Sequence, residues 1–405
     1  MRVFLFVLLT QALLCKEVFG DLSSYEKEKH ESDDHLLQMV VEGNVKFAHN
    51  FFSHVANEYP KQNVICSPFS VSVLFSMISA GAKGQTQKEI LEGLYFNTSS
   101  NAEINVRKGY KHLIQILNQA NSDSVLSIAN ALFAEESTTF LEMFLKALKD
   151  YKVEAIPIDF HTPAEAKNQI NSYVEEKTNG MVKNLLDSVD NKTVAVVLNT
   201  IYFKGKWKYA FDKKLTHDAD FYVDNKTVVK VPMMRRQGLY RMAYIEKVGC
   251  TFVEVPYVGN FSAFFAIPDH GRFQEVEKAL KNNCIPEWAK EMKPIRIHLL
   301  IPKFQMSSTF DLKKELIALG IKLVFSDEAD LSGITGFKNL KLSKAVQKAV
   351  VGVDETGTEA AAASAGVVAV LGVSAKAVVA DRPFIFLIRN IPAKVDLFFG
   401  KYLNP

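Results

Sequence analysis

Apolar residues recur with two different periods along this chain of 405 residues. From about residue 38, MVVEGNVKFAHNFFSHVANEY repeats them every three or four positions. Val41, Val45, Ala48, Phe52 and Val55 fall on one side, which predicts a helix docked on a core. The next segment, VSVLFSMISAGAKG, is apolar or small throughout and predicts a buried helix. Thr86 with Glu89 reads as a capping box ahead of EILEGL. Thr162-Pro163-Ala164-Glu165 reads the same way for a helix ending near Gly180. Further on the period shortens. VAVVLNTIYF, residues 194–203, is a continuous β-branched and aromatic run, suited to the centre of a sheet covered on both faces. KTVVKVPMM, CTFVEVPYV and FSAFFAIP predict shorter strands, with IRIHLLIPKFQM beyond them. Helices dominate the first half and strands the second, so the expected class is α+β.

One stretch fits neither period. Residues 356–366 read TGTEAAAASAG; Thr358 could cap a helix, Glu359 would favour its first turn and Gly366 could stop it. Yet the run has no large apolar side chain with which to dock, and it is shorter than the roughly 12–15 residues that make an isolated helix even marginal in water. Its bland composition calls for another explanation.

Composition adds a core and a compartment. The chain is 48% hydrophobic and 23% charged, and no Pro/Ser/Gly linker divides it after residue 40, so residues 41–405 are expected to form one domain. The net charge of +3 is spread along the sequence and predicts neither nucleic acid nor a membrane surface as partner. Arg2 precedes an apolar run from Val3 to Leu14, with Val18-Phe19-Gly20 before a cleavage point at Asp21. That run is too short for a span of roughly twenty residues. Residues 1–20 are therefore read as a secretory signal peptide, and residues 21–40 as a polar, disordered lead-in. Secretion agrees with four sequons, at Asn97, Asn191, Asn225 and Asn260. Cys15 leaves with the signal, and Cys66, Cys250 and Cys284 remain. Buried free thiols are favoured over a Cys250–Cys284 bridge, because small apolar Cys packs well in a core.

Catalytic chemistry is not written here. The sequence has no HExxH, Walker loop, GxGxxG or GxSxG, and the nearest approach to a histidine cluster, His30 and His35, lies in the lead-in. No enzyme, metal or cofactor is expected. Arg107, Lys108, Lys111 and His112 could share part of a helix face and offer a weak glycosaminoglycan contact, although a solvated face with one basic edge is the simpler reading.

Several stretches together resemble the serpins. CSPFSVSVLFSMISAGAKGQTQKEI (66–90), LNTIYFKGKW (198–207), DLSGIT (330–335), LSKAVQKAVVGVDETGTEAAAASAG (342–366) and VVADRPFIFLI (378–388) come in family order, and FFGKYLNP closes the chain. FAEESTTFLEMFLKALKDYKVEAIPIDF and the sequon at Asn97 resemble the secreted alpha-1-antitrypsin group. This resemblance implies three β-sheets, about nine helices and an exposed reactive-centre loop, here about 355–380. The alanine run then becomes the hinge of a bait loop that inserts into the main sheet after a protease cuts it. Hinge positions are Glu355, Gly357, Thr358, Glu359, Ala360, Ala361, Ala362 and Ala363. Ser67, Ser70 and Asn199 match the shutter, where the sheet must part; Gln347 stands where relatives often carry histidine; Trp207 matches the breach at the top of the sheet. Counting sixteen residues from Glu355 puts the reactive bond at Leu371–Gly372, while a count back from Pro383 points to Gly372. Leu371 after Val368-Ala369-Val370 suits chymotrypsin-like or elastase-like proteases. The implied protein is a secreted, monomeric inhibitor that forms a covalent acyl complex with its target; the alternative is a non-inhibitory carrier of a small hydrophobic hormone.

Overall fold

The computed structural model describes residues 33–118, 124–178, 180, 182–338, 340–357 and 376–405. The signal peptide, most of the lead-in, and Thr358 to Ala363 with Leu371 and Gly372 lie outside these residues. The first helix already covers residues 33–58, so the lead-in boundary at residue 40 is corrected. Of the expected stripe Ala48, Phe52 and Val55 are buried, while in the early turns Val40 and Asn44 take the buried places expected of Val41 and Val45, which are half-buried. Its early turns are held against helix Ala102–Asn118 at Gly109, where a Cβ would stand 2.5 Å from the Leu36 carbonyl oxygen. Only glycine permits that approach.

Helix Pro68–Gly81 runs through the core as predicted, buried at every position except Ala80. Neither proposed capping box forms. Thr86 lies inside helix Gly84–Gly93, its hydroxyl accepting from the Asp330 N–H, while Glu89 accepts from the Leu323 N–H at 2.7 Å. Thr162 precedes helix Pro163–Lys177, but its side chain makes no bond to the first turn; the hydroxyl turns back to Asp159. Both threonines found tertiary or local partners that compete with the helix end.

A five-stranded sheet has the order Phe304–Asp311, Lys344–Val353, Ala195–Gly205, Ser124–Glu135, Glu154–Ile158. The predicted central strand is indeed central, and buried on both faces. Phe203, Ile201 and Val197 face the main core, while Val196, Leu198 and Tyr202 face a smaller one under helix Pro163–Lys177. Ala195–Gly205 runs parallel to Lys344–Val353 and antiparallel to Ser124–Glu135.

The remaining strands form one nine-stranded hydrogen-bonded sheet among the described residues. Strand Val228–Ile245 joins its halves: it pairs first with His217–Tyr222 and Lys293–Pro302, then with Cys250–Pro256. Two of the three expected sheets are thus continuous through this strand, twice the predicted length. IRIHLLIPKFQM, conversely, is two strands. Lys293–Pro302 and Phe304–Asp311 belong to different sheets, and the chain crosses between them at Lys303. With the first helix, ten α-helices are present among the described residues.

Candidate functional site

At mid-sheet, a polar cluster lies where an apolar core would be expected. Strand pairing sets Gln347 beside Asn199 and Asn199 beside Asn130, and the buried N-terminus of helix Pro68–Gly81 brings Ser67 and Ser70 onto them. All five side chains are buried. The Gln347 amide accepts from the Ser67 N–H at 3.1 Å and donates to the Ser67 carbonyl at 2.9 Å. It also donates to the Asn199 amide oxygen at 2.6 Å, which accepts from the Ser70 hydroxyl at 2.7 Å. Asn199 in turn donates to Asn130. A neutral imidazole has one donor and one acceptor, so it could not hold both the N–H and C=O of Ser67 and Asn199 as well. Glutamine at 347 makes all three contacts, and its amide carries no titratable group. Asn130 was missed from sequence; a buried amide inside an apolar strand was its signal.

At the end of the sheet the chain leaves Val353 through a tight turn. Asp354 accepts from the Thr356 and Gly357 N–H groups with its carboxylate, and the Asp354 and Gly357 backbones bond each other in both directions. Gly357 then forms an antiparallel bridge with Lys206, and the Trp207 N–H donates to the Thr356 carbonyl at 2.9 Å. Gly357 has φ 134°, and a Cβ there would lie 2.0 Å from the Gly205 carbonyl oxygen. No other residue fits. Trp207 is buried, stacked on Tyr257 with centroids 4.2 Å apart, and its indole N–H donates to the Asp354 carbonyl at 2.8 Å. The tryptophan therefore packs and also locks the turn.

Glu355 points the other way into the protein, 4% exposed. Its carboxylate accepts from the Thr216 hydroxyl at 2.9 Å and from Lys303 Nζ at 3.1 Å. Burial works against its charge, but its own N–H, Lys303 and Thr216 together outweigh this and hold its pKa below the usual 4.5. Thr216 and Lys303 carried no sequence signal; only the fold brings them here.

Other expected residues are dispersed. Arg107 and Lys111 both approach Asp150 of the neighbouring helix, at 3.8 and 2.8 Å, which removes two of the four basic residues from the suggested polyanion edge; Lys108 is exposed. Asn97, Asn191, Asn225 and Asn260 are all exposed, outside the regular elements. Cys66, Cys250 and Cys284 are free and buried, and burial pushes each thiol up, Cys284 to about 12. Among the described residues no group of His, Cys, Asp and Glu could hold a metal, and no helix is long and apolar enough to cross a membrane.

A family model described as serpin (serine protease inhibitor) matches residues 42–405. Rat alpha-1-antiproteinase is 39% identical over 403 residues, covering 98% of this chain and 98% of the relative. Pig alpha-1-antitrypsin is 38% identical over 386 residues, covering 95% and 91%. The crystal structure of human thyroxine-binding globulin complexed with thyroxine superposes with a TM-score of 0.85 at 35% identity, over 91% of this chain and 99% of the other.

Proposed function

The chain belongs to the serpin family, and from that premise we propose that it is a secreted, irreversible inhibitor of chymotrypsin-like or elastase-like serine proteases. The supporting observation is a coincidence of register at the hinge. An antiparallel strand continued from the Lys206–Gly357 bridge would set Ala360 beside Phe203, Ala362 beside Ile201, Ser364 beside Asn199 and Gly366 beside Val197. Continued from the Asp354–Gly357 pair, the same residues would meet Val351, Ala349, Gln347 and Ala345. Those are the residues already paired with Phe203, Ile201, Asn199 and Val197. A strand entering between Ala195–Gly205 and Lys344–Val353 would therefore match both neighbours without a slip. It would also replace one parallel pairing with two antiparallel ones, the slightly more stable arrangement.

The side chains support the same reading. Positions 360, 362, 364 and 366 would face the main core, where the run supplies only Ala, Ser and Gly. Glu359 falls on the opposite face, beside half-buried Gly352, and so would not bury a charge. In the trapping reaction the protease serine attacks the Leu371 carbonyl, the bond to the Gly372 nitrogen breaks, and an ester joins the two proteins. About ten new backbone hydrogen bonds, at roughly 1 kcal/mol each, then draw the acylated protease across the molecule and distort its oxyanion hole. Entry into the secretory pathway through residues 1–20, and glycans on two or more of the four sequons, complete the proposal.

Incubation with a chymotrypsin-like and an elastase-like protease, followed by denaturing electrophoresis, tests it. The expected result is a covalent complex that releases a fragment comprising residues 372–405. A fragment starting at Ala377 would make Lys376 the bait and overturn the protease class. Cleavage without a complex would favour the carrier reading, which draws on the similarity to thyroxine-binding globulin.

A further inference from the structure

The nine-stranded sheet leaves one face open beside the C-terminal anchor of the loop. Strand Lys376–Val379 pairs with Lys293–Pro302, which pairs with Val228–Ile245. The registers form rows across these strands: Val379, Leu300 and Arg235; Ala377, His298 and Gln237; then Arg296 and Leu239. No carboxylate stands in these rows. Arg235 and Arg296 are exposed, and neither makes an ion pair among the described residues. Their neighbours are committed elsewhere: Arg236 lies over the Tyr209 ring and bonds Tyr240, and Arg241 pairs with Glu254 at 2.9 Å. Between the two open arginines Leu239 is 62% exposed, in a strand whose next residue, Tyr240, is buried. Lys376 adds an exposed cation at the sheet edge.

We propose that this face, carrying Arg235, Leu239 and Arg296, is a docking surface for an acidic flank of the protease held on the loop. The inference rests on the inhibitor reading. Ala377 lies six positions after Leu371, a tether of at most about 20 Å. A protease domain of about 200 residues is roughly 40 Å across, so an enzyme engaged at Leu371 overhangs this part of the sheet. Uncompensated arginines there steer an acidic partner and repel a basic one. An exposed leucine among arginines fits a protein partner, whose interface centre is apolar and rich in Arg, better than a sulfated polymer.

The test uses two chymotrypsin-like proteases of the same primary specificity, one acidic and one basic, against the full-length protein and its Arg235→Glu/Arg296→Glu variant. With the acidic enzyme, complex formation is expected to slow about tenfold or more in the variant and to lose most of its salt dependence. The basic enzyme should gain. Binding of an acidic protease whose nucleophilic serine is replaced by alanine should weaken about tenfold, a readout that needs no insertion. Equal rates, salt slopes and affinities in the two proteins would overturn the docking surface while leaving inhibition intact. Absence of any covalent complex with the unaltered protein, together with unchanged affinity for the inactive enzyme, would overturn both. A difference seen only when heparin is added would assign the face to a polysaccharide and overturn the proposal.

Discussion

The two sheets bury polar groups in opposite ways. At the centre of the five-stranded sheet Ser67, Ser70, Asn130, Asn199 and Gln347 form a neutral network of hydroxyls and amides. In the nine-stranded sheet the buried polar centre is an ion pair: Arg389 donates to both carboxylate oxygens of Asp396, at 2.6 and 2.8 Å, with Asp396 fully buried. Phe265, Phe384, Phe386 and Tyr402 of this sheet pack around one another, with Phe304 of the first sheet against them. Neutral hydrogen bonds can be exchanged for others at little net cost, whereas separating a buried ion pair leaves a charge without water or partner. On the proposed mechanism it is the first sheet that parts and re-forms. The second is built to stay.

Cutting the loop gives the largest separation between them. Insertion would add about ten backbone hydrogen bonds to the five-stranded sheet, on the order of 10 kcal/mol, so thermal unfolding of cleaved protein should lie about 12 °C above that of intact protein. Equal midpoints would mean that the first sheet does not open. Next in size is Arg389→Met in the second sheet. It leaves the buried Asp396 without its arginine, with only His49 nearby at 4.0 Å among the described residues, and chemical denaturation should register a loss of about 3–5 kcal/mol. Because this pair lies in the sheet that gains no strand, intact and cleaved forms should lose the same amount.

Gln347→Leu should cost about 1–3 kcal/mol in the intact protein, since the Ser67 N–H and the Asn199 amide oxygen lose buried partners. Here the two forms should differ. An inserted strand already separates Gln347 from Asn199, so calorimetry should find the penalty smaller after cleavage. An equal penalty would show that the clasp stays shut.

The smallest effects come with pH, in two windows. His49 is buried beside Asp396 and Arg389, its Nδ1 bonded to the Leu280 carbonyl at 2.6 Å; burial dominates and lowers its pKa below 6.5. The unfolded chain then takes up that proton first, so stability falls as pH drops below about 6.5 towards the folded value. Glu355, also lowered, contributes stability present above its unfolded value near 4.5 and lost as pH falls through its lower folded value. Stability measured against pH should lose the upper slope in His49→Phe and the lower one in Glu355→Gln. The Glu355 change is expected to stay under about 1 kcal/mol.

The sequence by itself determined a good deal. An apolar run of β-branched residues has one stable use, a strand covered on both faces, so 194–203 was legible as the sheet centre. A helix without a polar face can only be buried, and 68–81 is. The alanine run was legible as something other than core, because it has nothing with which to pack. Ser67, Ser70, Asn199, Gln347 and Trp207 could be placed by resemblance, but not what they touch. Only the tertiary structure decided that Gln347 grips both backbone groups of Ser67, a contact across 280 positions of sequence. It also decided that Lys303 and Thr216 hold Glu355, that Thr86 leaves its helix end for Asp330, and that Val228–Ile245 runs on through two predicted sheets. Period and propensity act over a few residues, whereas hydrogen-bond satisfaction of a buried group depends on whichever distant strand or helix the fold brings within about 3 Å.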